Sequence, residues 1–169
     1  NKRKKEIKKR LLEFKKAGKG SAKKLFAELC FCLCTPQSKA VNCDKAVRRL
    51  ENSKILFNGS SREIAKYLKG LVRFHNNKAK YIVAARQKFR GANIRNRPSF
   101  GGREWLVKNI KGLGMKEASH FLRNIGLGEN LAIIDRHILT NLARYGAIYK
   151  IPKHISDRQY LIIEEKMRR

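Results

Sequence analysis

Apolar residues recur along this chain at intervals of three and four, the spacing of one helix face, and no stretch alternates long enough to read as a strand. Ile7, Leu11 and Phe14 mark a first, very basic helix closed by Gly18 and Gly20. Ser21 can cap a second helix carrying Leu25, Phe26, Leu29 and Leu33, and Pro36 stops it. A third helix is expected from about Ser38 to Leu50. Ser60 and Glu63 form a capping-box pair ahead of Ile64, Ala65 and Leu68, and Asn77 precedes a helix bearing Ala79, Ile82, Val83 and Ala84. From about Arg90 to Gly102 the pattern lapses into Gly, Asn and Pro98, with Arg90, Arg95, Arg97 and Arg103 at the turns and edges. This stretch, about 90–102, is expected to link two helical lobes. Helices follow at about Glu104 to Lys111, Lys116 to Ile125 and Asp135 to Tyr145, and Ser156 with Gln159 caps a last one that runs off the end of the chain. With no repeat of solenoid length, residues 1–169 read as one all-α, two-lobed domain.

Charge changes the picture. The 169 residues carry 41 Lys and Arg against 13 Asp and Glu, a net charge of +28. Only +10 of it falls in the first 24 residues, so the excess runs through the globular part. Such a surface suits a polyanion, with nucleic acid the leading partner and a generic RNA-coating protein the rival reading. No apolar run reaches the roughly 18 residues that a membrane span needs, and the basic start leads into no apolar signal segment. The chain opens without Met and its last residues still read as helix, so a fragment truncated at both ends is expected.

Cys30, Cys32 and Cys34 alternate, and Cys43 follows. Within one helix Cys30 and Cys34 share a face while Cys32 points elsewhere, which fits no zinc pattern of paired C-x2-C units. They read as small core residues in a reducing compartment, hence an intracellular protein (cytoplasm or nucleoid) without a metal centre. The four histidines show no paired metal-ligand spacing either, and no cofactor is expected.

The most informative segment is Glu104 to Gly126, a helix, a Gly112-Leu113-Gly114 turn, and a second helix. Glycines accept positive φ and let backbone approach another surface, so the amides at the start of the second helix can hold a phosphate without a side chain. Ile110 and Leu113 are available to pack such a hairpin. Lys116 lies in the first turn of the second helix, where the helix dipole disfavours a cation. A lysine made neutral there is a nucleophile for a carbonyl or a sugar C1′. Asp135 follows nineteen residues later, after Leu131-Ala132-Ile133-Ile134, placed to cap a helix and free to take part in chemistry as well.

Gly112-Leu113-Gly114-Met115-Lys116-Glu117-Ala118-Ser119-His120-Phe121-Leu122-Arg123-Asn124, with Ala132-Ile133-Ile134-Asp135-Arg136-His137 behind it, closely resembles helix-hairpin-helix DNA glycosylase/lyases. The similarity is greatest to the archaeal-type, second class of 8-oxoguanine DNA glycosylase/lyases. It extends to Glu28 through Gln37 and to Arg73-Phe74-His75-Asn76-Asn77-Lys78-Ala79. The resemblance implies a two-lobed helical fold and a monomer acting on double-stranded DNA that contains oxidised guanine. It implies that Lys116 attacks C1′ of a flipped-out nucleotide and that Asp135 stabilises charge on the sugar and orients or deprotonates the lysine. A nearby carboxylate favours the ammonium while burial and the helix terminus favour the amine, and the sequence leaves that balance open.

Gly112, Gly114, Gln37 and Arg136 are implied DNA contacts, with Gln37 filling the gap left by the flipped base. Phe74 is either the aromatic that stacks on that base or an ordinary core residue, and Gln37 is either the wedge or a polar turn residue. His120 and His137 read as packing or hydrogen-bonding residues. Relatives with an iron–sulfur cluster carry four cysteines after the hairpin, whereas here none follows Cys43. Relatives continue beyond the equivalent of Arg169 with another helix, an aromatic-rich stretch and a base-reading terminal lysine. Loss of that part would touch lesion specificity more than lyase chemistry. Two alternatives stand beside this reading: a non-catalytic hairpin module that only grips DNA, and the same chemistry on another oxidised base.

Overall fold

The computed structural model describes residues 2–168 and is all helix, with no strand among them. Ten α-helices follow in order: α1 Lys2–Gly18, α2 Ala22–Cys34, α3 Ala40–Asn52, α4 Ile55–Asn58, α5 Ser61–Leu68, α6 His75–Arg90, α7 Ser99–Asn109, α8 Met115–Asn124, α9 Arg136–Arg144 and α10 Asp157–Arg168. A single 3-10 turn, Ile94–Asn96, separates α6 from α7. None of these helices is long and apolar enough to cross a membrane.

The capping signals act as the residues suggest. Ser21 accepts from the Lys24 amide, Ser60 and Glu63 form a reciprocal box, and Ser156 and Gln159 form another. Four features differ from what the residue pattern alone conveys. The segment 90–102 is not irregular throughout, because α7 starts at Ser99 and takes in Gly101 and Gly102. Burial of Arg103 and Leu106 in α7 outweighs the poor helix propensity of the two glycines. Helix α6 starts at His75, two residues before Asn77. The short α4 has too few residues for any periodic pattern. In α1, Ile7 and Leu11 stay exposed, and that helix buries nothing fully. Instead α1 touches the body through Phe14, whose ring lies 4.7 Å from the Arg123 guanidinium, and through the close approach of its backbone to the α8 end. A Cβ on Gly126, which has φ +72°, would press on the Lys15 backbone.

Two apolar clusters organise the chain. The larger draws on α2, α3, α5 and α6 and takes in Leu106, Ile110, Leu113, Phe121 and Leu122 from the hairpin helices and their turn. All four cysteines lie in it, reduced and buried, and burial pushes the Cys34 thiol up to about 12. The smaller cluster joins Met115 and Ile134 to Leu139 of α9, Ile148, and Tyr160 and Ile163 of α10. Met115 and Ile134, which immediately precede Lys116 and Asp135, thus belong to one cluster although they are distant in sequence.

Candidate active site

The hairpin turn is built as its composition implies, but its two glycines act differently. Gly112 has φ +90°, and a Cβ there would also run into the Tyr81 ring, so both torsion and space demand glycine. Gly114 has extended backbone (φ −95°, ψ −177°) that any residue adopts. A Cβ at Gly114 would meet only Glu117 Oε2 at 3.5 Å. The fold itself therefore has room for a side chain at this N-cap, and what a side chain would obstruct is an approach from outside. No side chain caps α8, so its first amides keep their donor capacity, at the positive end of the helix dipole.

Lys116, the second residue of α8, is about one-third exposed and pairs through Nζ with Glu117 Oε1 at 2.9 Å. The carboxylate in hydrogen-bond reach of the lysine is thus its chain neighbour, which the residue pattern did not single out. Asp135 caps α9, with Oδ1 accepting from the Ile138 amide at 2.9 Å. The run before it is held by α10. Tyr160 Oη donates to the Ala132 carbonyl (2.7 Å) and accepts from the Ile134 amide (3.1 Å), while Glu164 Oε1 accepts from the Ala132 amide (2.8 Å). Glu164 is fixed in turn by a bidentate pair with Arg103 of α7, at 2.7 and 2.8 Å, and both side chains are almost wholly buried. Burial pushes the Glu164 carboxyl up, and the bonds from Arg103 and Ala132 more than reverse that, so it ends below the ordinary carboxylate range.

A second group forms beside the hairpin. Gln37, Phe74, Lys78, Tyr81 and Gly112 line a cavity of about 190 Å³. Gln37 is exposed at the end of α2 in left-handed backbone (φ 56°), and Phe74 is left-handed too (φ 55°) at the start of α6. Phe74 is 54% exposed, which removes the core reading and leaves an aromatic face in solvent. Arg136 is exposed at the start of α9, donating to the Pro152 carbonyl at 3.2 Å. Of the histidines, His120 packs edge-on against Phe31, with ring centroids 5.9 Å apart. Burial, with Arg123 and Lys116 adding to it, pushes His120 down to about 4. His137 is exposed, so it is not a packing residue.

A cavity of about 450 Å³ at the opposite ends of α2 and α6, floored by Phe26 and Phe89, contains none of these residues. Among the described residues no group of three His, Cys, Asp or Glu could hold a metal ion.

Residue-pattern reasoning missed Lys78, Arg103, Tyr160, Glu164 and the pairing of Glu117. A signal was present for three of them: charges placed on apolar stripes. Lys78 falls in register with Ile82, Ala85 and Phe89, Arg103 with Leu106 and Ile110, and Glu164 with Tyr160 and Ile163.

Comparison with known proteins agrees with the all-helical fold. A family model described as 8-oxoguanine DNA glycosylase matches residues 7–169. The 8-oxoguanine DNA glycosylase/AP lyase of Fusobacterium nucleatum is 47% identical, over 96% of this chain and 78% of the relative. The Methanocaldococcus jannaschii enzyme of the same name is 42% identical, over the same shares. The crystal structure of the M. jannaschii 8-oxoguanine DNA glycosylase superposes with a TM-score of 0.90, at 40% identity over 99% of this chain and 78% of that one. A structure of the M. jannaschii glycosylase/lyase with a 15mer DNA containing 8-oxoguanine superposes with a TM-score of 0.86, at 40% identity over 98% of this chain and 80% of that one. With its all-helical fold, its glycine hairpin and its matched length, the chain belongs to the 8-oxoguanine DNA glycosylase family.

Proposed function

We propose that the chain removes 8-oxoguanine from double-stranded DNA and then cleaves the strand, with Lys116 as nucleophile and Asp135 as its charged partner. The observation that carries this is the convergence at the smaller apolar cluster. Its members Met115 and Ile134 immediately precede Lys116, at the uncapped start of α8, and Asp135, at the cap of α9, which supports a shared site for the two. A module that only gripped DNA needs the hairpin but neither residue. The names of the relatives and the lesion-containing DNA in the M. jannaschii complex support the same substrate.

The bond changes balance without a cofactor. The Lys116 amine, its proton passed to a nearby carboxylate, attacks C1′ with its lone pair as the C1′–N9 bond breaks. The base leaves with that electron pair and takes up a proton. Ring opening yields an iminium between Nζ and C1′. Loss of a C2′ proton then expels the 3′ phosphate by β-elimination, and water releases the lysine. The Asp135 carboxylate stabilises the positive charge that develops on the sugar.

The base must first leave the stack, and each remaining residue has a place in that step. Gln37 fills the vacated space, Phe74 offers a face to the extruded base, and amides at Gly112 and Gly114 hold backbone phosphate. Arg136 adds a phosphate contact beside Asp135. The chain works as a single helical domain, as a monomer, and inside the cell where DNA is. Borohydride trapping on a duplex containing 8-oxoguanine tests the assignment: wild type forms a covalent complex and Lys116→Gln does not. Equal trapping by both would sink it, and a lesion panel in the same assay separates oxidised guanine from other oxidised bases.

A further inference from the structure

Lys78 is a lysine in the wrong place for a surface cation. It is 5% exposed, and burial holds its amine below the ordinary lysine range. All three of its donor directions are used. Nζ donates to the Cys34 carbonyl at 2.7 Å, the Pro36 carbonyl at 2.6 Å and Ser38 Oγ at 3.2 Å. Those carbonyls lie at and just past the C-terminal end of α2, where backbone acceptors lack helical partners and a positive charge is favoured. Gln37 sits between two of the acceptor residues, Pro36 and Ser38. Ser38 Oγ, besides accepting from Lys78, accepts from the Arg73 amide at 3.0 Å, and Arg73 is the residue before Phe74. One buried ammonium and one hydroxyl thus tie the Gln37 turn to the start of α6.

Both residues at the ends of this tie have left-handed backbone although neither is glycine. Such torsions persist where the surroundings enforce them. The cavity of about 190 Å³ lies between the two side chains, with Lys78 in its wall.

We propose that Lys78 is a positioning residue for lesion recognition, locking the wedge Gln37 and the stacking face Phe74 into one rigid unit through Ser38. This rests on the roles given above to Gln37 and Phe74. Lys78 does not touch the reacting atoms. It fixes the distance between the group that enters the stack and the group that receives the base, so its removal slows base extrusion and leaves Schiff-base chemistry at an already open site nearly intact.

The test compares wild type, Lys78→Met and Ser38→Ala in two single-turnover reactions: excision of 8-oxoguanine from a duplex, and β-elimination at a preformed abasic site in the same duplex. A 2-aminopurine next to the lesion reports unstacking. Lys78→Met is expected to lose at least about tenfold in excision, as displaced site groups do, with abasic-site cleavage within about threefold of wild type and a diminished fluorescence rise. Ser38→Ala is expected to shift excision the same way by a smaller factor, and it carries the test if Lys78→Met does not fold. Equal losses in both reactions, or no loss in either, would overturn the proposal. Gln37→Ala and Phe74→Ala in the same assays separate the two failures. If they lower excision while Lys78→Met and Ser38→Ala do not, only this inference falls; if they leave excision unchanged, the recognition roles themselves fall.

Discussion

Glu164→Gln is the sharpest single perturbation of the support beneath Asp135. The wild-type carboxylate receives both Arg103 Nη groups and the Ala132 amide, and Arg168 lies 3.2 Å away. Neutralising it leaves the Arg103 guanidinium buried, with Ser119 Oγ at 3.3 Å as its other polar partner and the Phe100 and Tyr160 rings beside it. Removing one member of a buried pair costs about 3–5 kcal/mol. Glutamine keeps one oxygen that can still accept, which puts the expectation near about 3 kcal/mol. For a domain of this length that is a fall in Tm of roughly 6–12 °C, read by calorimetry or circular dichroism.

The acid side gives a second check on the same pair. The Glu164 carboxyl is held below its ordinary 4.5, so its stabilisation is present above that value and is lost as pH falls through the lower folded value. The gap between wild type and Glu164→Gln therefore narrows in acid. Replacing both partners, as Arg103→Met with Glu164→Leu, should recover most of the loss, since no buried charge is then left unpaired. A Glu164→Gln protein melting within about 2 °C of wild type would refute the reasoning.

Other outcomes follow from the same geometry. Gly114→Ala should weaken duplex binding about tenfold in a fluorescence-anisotropy titration while costing under about 1 kcal/mol of stability, because only an outside approach is blocked. Gly112→Ala, by contrast, should cost at least about 1–2 kcal/mol in chemical denaturation, from its positive φ alone. His120 sits near 4 in the folded chain, so stability is lost as pH falls from 6.5 towards that value. His120→Phe should flatten that part of the melting profile, and an unchanged profile would assign the loss elsewhere. Phe74→Ala should leave the melting temperature within a few degrees of wild type, since the ring is half in solvent, and should lower excision of 8-oxoguanine more than affinity for undamaged duplex. Uniform weakening would count against its stacking role.

Local rules were sufficient for much of this molecule. Caps at Ser21, Ser60 and Ser156, the stop at Pro36 and the three-to-four spacing of apolar residues determine nearly every helix, because each depends on residues within one or two turns. The hairpin turn and the Asp135 cap were legible for the same reason: each depends on a contiguous motif. Local pattern failed where long-range packing decides. The apolar stripe of α1 is real, yet Ile7 and Leu11 stay exposed while Phe14 reaches the body. Two glycines entered α7 because burial around Arg103 outweighs propensity. Phe74 could have been core or contact, and only the left-handed turn into α6 puts its ring in solvent.

The charge of +28 told of a polyanion but not which cations matter. Tertiary structure alone sorts them. Arg103 is sunk against Glu164, and Lys78 is spent on carbonyls of a turn some forty residues away in sequence. A buried charge is tolerable only beside its partner, and partners so distant along the chain meet only once the helices pack.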